Sequence, residues 1–98
     1  MAFADEYDFD ILVNEAEKKV IEELGRQLDS FEGEICRCDE CVIDMAAVAL
    51  NTVKPLYRSS LLGSLYAAQV GSEDDYARSL KDAVSTAVEK VRKNPAHD

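Results

Sequence analysis

The stretch 36–59, CRCDECVIDMAAVALNTVKPLYRS, constrains this chain more than any other. It places three soft metal ligands, Cys36, Cys38 and Cys41, within six residues, and follows them with a run in which Asp44 is the only charge between Val42 and Val53. Asp39 reads as an N-cap, with Glu40 in the first turn favouring the helix dipole. From there Val42, Ile43, Met45, Ala46, Ala47, Val48, Ala49 and Leu50 occupy almost the whole circumference of a helix. A helix that is apolar all round must be buried on all sides, which a monomer of three helices scarcely achieves. The expectation is a central buried helix running to about Val53, ended by Pro55, and reaching a homodimer interface.

On either side the pattern is helical. Phe9, Val13, Ala16, Val20, Leu24, Leu28 and Phe31 recur at steps of three or four and draw one apolar stripe. Gly25 within it marks either a close backbone approach or a tolerated glycine on an exposed turn. The last helix opens at Ser72 with Asp75 three residues on, carries Tyr76, Leu80, Ala83, Val84, Ala87 and Val91 on one side, and stops before Pro95. Residues 61–70, broken by Gly63 and Ser64, read as an irregular or short helical segment. The fold class is therefore all-α: one domain over residues 1–98, three main helices, loose ends at about 1–8 and 94–98. At 98 residues such a chain buries only about two-thirds of its extended-chain surface, so a metal clip or a second subunit would help it.

Composition narrows the function. A net charge of −9, from 20 acidic and 11 basic residues, argues against a nucleic-acid polymer or an anionic membrane as partner. The acidic N-terminus does not read as a signal peptide, no apolar run reaches the ~20 residues of a spanning helix, and three crowded cysteines do not make a secreted disulfide framework. A reducing cytoplasm is expected.

The cysteines read C-x-C-x-x-C. Thiolates are strong zinc ligands, and structural zinc wants four ligands in a tetrahedron. The nearby helix start and Arg37 both lower thiol pKa. The fourth ligand is open: His97, Asp39, Asp44, a water, or a residue of another subunit, with His97 set in a tail. Free thiols, a redox pair and a degenerate site are alternatives. One histidine, with no phosphate loop and no nucleophile elbow, gives no basis for an enzyme. Past the central helix, Lys54, Tyr57 and Arg58 crowd into five residues of a chain poor in positive charge. Arg grips phosphate or a guanine edge and Tyr stacks on a base. Arg37, at the other end of the helix, joins them if two helices pack antiparallel across an interface. The alternative is that Lys54 and Arg58 pair with local carboxylates and Tyr57 packs under the loop.

The segments LVNEAEKKVIEELGRQL and CRCDECVIDMAAVALNTVKPLYRSSLLGSLY, over residues 11–66, resemble the late-competence-development ComFB family. The resemblance is carried by C-R-C-x-x-C, the D-M-A-A-V-A-L-N core and K-P-x-Y. It implies a small dimeric helical protein, with zinc held by cysteines in some members, here matched by Cys36, Cys38 and Cys41. It also implies signalling, because cyanobacterial relatives are cyclic di-GMP receptors linked to competence, motility and cell size. The expected function is a non-catalytic cyclic di-GMP receptor that acts through an unknown signalling protein. Its candidate ligand contacts are Arg37, Lys54, Tyr57 and Arg58. The alternative is a zinc-stabilised adaptor that binds no nucleotide.

Overall fold

In the computed structural model, which describes residues 2–97, the chain forms four α-helices and a small sheet. Helix α1 spans Ala16–Asp29, α2 Asp39–Leu50, α3 Leu61–Gly71 and α4 Asp74–Lys93, while β1 (Val13–Asn14) and β2 (Tyr57–Arg58) pair antiparallel with Val13 opposite Arg58 and Asn14 opposite Tyr57. The three-helix, all-α expectation is corrected on two counts, the fourth helix and the sheet. Of the expected loose ends, 1–8 and 94–98, Met1 and Asp98 lie outside the described residues, and Phe3–Glu6 form a 3-10 turn.

The apolar stripe of α1 begins later than its periodicity suggests. Phe9–Ile11 is a separate 3-10 turn, and Val13 belongs to β1. The cause is Asn14. Its side-chain oxygen accepts from the backbone N–H of Ala16 at 3.1 Å and of Leu56 at 2.7 Å, so one residue starts the helix and fastens it to the segment before β2. Beyond that point Ala16, Val20, Leu24 and Leu28 are buried as the spacing requires. Gly25 has open space around it and is simply a tolerated glycine on an exposed turn. Gly33, with φ +107°, turns the chain towards the cysteines in a conformation that side chains other than glycine's rarely adopt.

Helix α2 sits in the middle, packed on α4 and α1. It buries Cys41, Met45 and Ala49, yet Ile43 is 68% exposed and Ala47 is exposed too. Within one chain, the helix is central but covered on one side only. Its N-cap is Cys38 rather than Asp39: the Cys38 Sγ accepts from the Cys41 N–H at 3.4 Å. Helix α3 replaces the expected irregular segment. Ser60 caps it, its hydroxyl accepting from the Gly63 N–H at 3.2 Å, and Leu65, Tyr66, Ala67 and Ala68 carry it on past Gly63 and Ser64.

Ser72 does not open α4. It closes α3, its hydroxyl donating to the Gln69 carbonyl, and α4 begins at Asp74 behind Glu73. Tyr76, Leu80, Val84, Ala87 and Val91 are buried along α4 as expected, and Lys90, Arg92 and Lys93 occupy its negative end. The Tyr76 hydroxyl donates to the Lys54 carbonyl at 2.9 Å, tying the start of α4 to the loop that leaves α2, and its burial holds the phenol pKa above the ordinary value.

Candidate metal centre

The start of α2 and the segment after α4 meet at one point. Helix α2 begins at the cysteines, and α4 delivers the chain back to them: after Lys93 the backbone turns through Pro95 and brings His97 alongside Cys36, with Cys36 Sγ 3.2 Å from His97 Nε2. The ligand atoms of Cys36, Cys38, Cys41 and His97 all lie within 4.8 Å of one another. A tetrahedral zinc with Zn–S near 2.3 Å and Zn–N near 2.0 Å separates its ligand atoms by about 3.5–3.8 Å, so small side-chain adjustments fit these four to the ion. The donor set is right as well: three sulfurs and one imidazole nitrogen.

Local electrostatics suit a cation. Contact with the His97 ring lowers the Cys36 pKa to about 6, helped by hydrogen bonds from the Cys38 backbone and from the Cys38 and Cys41 thiols. Cys41 moves the other way, to about 11: burial comes first, and the neighbouring sulfurs of Cys36 and Cys38 add to it. Crowded thiols in one nest cannot all ionise without a compensating charge, and a bound divalent ion provides one. Cys36 is exposed, and an open cleft of about 580 Å³ adjoins the cluster, bounded by Gly33, Arg37 and Pro95, giving an ion a way in.

His97 is the residue that sequence reasoning undervalued. Its only signal was being the single histidine in the chain, and its place beyond Pro95 suggested a tail. Asp39 and Asp44, weighed as alternative ligands, are not part of the cluster found among the described residues.

The basic and aromatic residues have other duties. The Arg37 guanidinium donates to the Leu28 carbonyl at the end of α1, where it closes the last turn and anchors the cysteine loop. Arg58 Nε donates to Glu15 Oε1 at 2.7 Å, joining β2 to the start of α1. Lys54 is exposed, and the Tyr57 ring is 61% exposed rather than packed under the loop. Arg37 stands at one end of α2 and the other three beyond its opposite end, with 12 helical residues between, about 18 Å of rise.

Fold and cluster together define a small helical domain in which three cysteines at the start of α2 and one histidine after α4 converge. The chain belongs to the late competence development ComFB family, whose sequence pattern, described as "Late competence development protein ComFB", matches residues 13–95. The match takes in α4, beyond the 11–66 stretch that carries the visible resemblance, and stops just short of His97. Among solved structures the chain is similar to the late competence protein ComFB from Bacillus subtilis, with 27% identity and a TM-score of 0.66 over 86% of this chain and 93% of that one. No curated protein matches it at the same stringency. Among the described residues, no helix is long and apolar enough to cross a membrane.

Proposed function

We propose that this chain is a non-catalytic signalling adaptor of the competence family whose fold is closed by zinc. The observation that carries this reading is the convergence of Cys36, Cys38, Cys41 and His97 within 4.8 Å. Those four residues would hold the ion, and the ion would supply a cross-link between the start of α2 and the segment after α4. Four protein ligands leave no open coordination position for substrate or for an activated water, which makes the centre structural. The cysteine chemistry belongs to a reducing cytoplasm, where thiols stay available for metal. In this reading the exposed surface, built on a metal-held scaffold, meets a protein partner.

A second reading, a cyclic di-GMP receptor that acts through a signalling protein, is favoured by one observation. Tyr57 offers an exposed ring beside Lys54 and Arg58 in a chain of net charge −9. A ring of this kind stacks on a guanine, and the two cations suit its phosphates. Because Arg37 is at the far end of α2, its participation requires a second copy. Calorimetric titration of cyclic di-GMP into the metal-loaded chain separates the readings. Saturable heat with a dissociation constant at or below roughly tens of micromolar selects the receptor, and silence with zinc present selects the adaptor.

A further inference from the structure

We infer that Cys36 is a peroxide-sensitive modification site: its sulfur is oxidised first, closes a disulfide with Cys41, and so releases the metal and the segment after α4. The inference rests on the zinc-closed reading above, because the metal is what oxidation dislodges. The cluster has two unlike halves. Cys38 and Cys41 belong to the start of α2, where Cys38 is half-buried and caps the helix and Cys41 is 1% exposed. Cys36 and His97 are both exposed and stand outside regular structure, one in the segment between α1 and α2, the other beyond the end of α4.

Access and reactivity coincide at one sulfur. Cys36 lines the open cleft of about 580 Å³, which is far wider than a peroxide molecule. Held as a metal ligand, its sulfur is a thiolate, the form that attacks peroxide. That sulfur takes one oxygen of hydrogen peroxide, the O–O bond breaks and hydroxide leaves, so Cys36 becomes a sulfenic acid. Cys41, buried from the oxidant but with its Sγ within 4.8 Å, is placed to resolve it. The Cys41 thiolate attacks the Cys36 sulfur, forms the S–S bond and expels a second hydroxide. Two sulfurs are oxidised, one peroxide is reduced, and both hydroxides take protons from solvent to become water. Cys38 is the poorer resolving partner. Its sulfur accepts the Cys41 N–H at 3.4 Å as the cap of α2, and a bridge between residues two apart is held off the preferred disulfide geometry.

The ligand count makes the step decisive. The chain has three cysteines, so one disulfide leaves a single sulfur and the His97 imidazole, too few to keep a structural zinc. Loss of the ion removes the cross-link between the start of α2 and the segment after α4. In a reducing cytoplasm such a disulfide is transient, the form that cytosolic disulfides take when they sense oxidants. Reduction returns all three thiols, and the site can fill again.

Treating the zinc-loaded chain with hydrogen peroxide in the presence of a chromophoric chelator tests this directly. Zinc is expected to leave completely, at the rate at which two of the three thiols disappear. Peptide mapping without reductant is expected to show a link between Cys36 and Cys41, and dimedone added during the reaction to label Cys36 alone. Dithiothreitol with zinc is expected to restore the metal content and the thermal midpoint. Zinc retained with all three thiols intact overturns the inference and leaves the zinc-closed fold standing. A link between Cys38 and Cys41 with Cys36 unmodified, a bridge between chains, or zinc release with no loss of thiols overturns it as well. A chain that holds no zinc as purified overturns this inference together with the reading beneath it.

Discussion

Cys36 Sγ lies 3.2 Å from His97 Nε2 although 61 residues separate them in the chain. That contact links the start of the central helix to the segment after the last one. If it marks a shared ion, His97→Ala loses one of four ligands. Zinc affinity, measured by competition with a chromophoric chelator, is expected to fall by at least the ~10–100-fold that loss of a mere supporting partner of a ligand costs. His97→Cys is expected to restore most of it. Equal affinity in the wild type and the alanine variant would show that the imidazole is a bystander.

Removal of metal is expected to loosen the whole domain. A ligand that binds only the folded state at about 100 times its dissociation constant adds about 2.7 kcal/mol. In a domain this size each kcal/mol moves the thermal midpoint by about 4–8 °C, so EDTA is expected to lower it by roughly 10–20 °C. Zinc, and not magnesium, reverses the drop. Differential scanning calorimetry with and without chelator reads the effect, and an unmoved midpoint contradicts a structural role.

Helix α2 supplies a contrast two residues apart. Met45 is fully buried against α1 and α4, whereas Ile43 stands open. Met45→Ala is expected to cost about 2–5 kcal/mol in urea unfolding. Ile43→Ala in the same assay is expected to stay within about 0.5 kcal/mol of wild type. Equal losses at both positions would mean that the open side of α2 is covered in solution.

How far the sequence was legible follows from which signals are local. The stripe of α4, its basic end and the buried run from Ala16 to Leu28 could be read because helical periodicity and dipole preferences act within a few residues. The start of α1 could not, because Asn14 takes its second partner at Leu56, 42 residues away. Helix α3 was obscured because Gly63 and Ser64 are poor helix formers locally, while the Ser60 cap and the contact with β2 stabilise the segment in its setting. Ser72 carries a capping residue's chemistry and was assigned to the wrong helix, since its hydroxyl turns back to Gln69. At the metal centre the three sulfurs were plain from spacing. The imidazole was not, because only the packing of α4 along α2 carries residue 97 to residue 36.

If cyclic di-GMP is a ligand, Tyr57 is the cleanest probe. Its ring is largely exposed, so Tyr57→Ala is expected to leave the thermal midpoint unchanged while removing about 1–3 kcal/mol of stacking, roughly a 5- to 150-fold loss of affinity by calorimetry. Arg58→Ala also breaks the link to Glu15, so its affinity loss is expected to come with a lower midpoint. Undiminished affinity in Tyr57→Ala would place any nucleotide elsewhere.

The zinc-closed fold is tested most directly by native mass spectrometry of the purified chain without added metal. The account predicts one zinc per chain, lost together with the compact charge envelope in Cys38→Ser. A wild-type chain that is metal-free yet equally compact, or a Cys38→Ser chain that keeps its full complement of zinc, would contradict it.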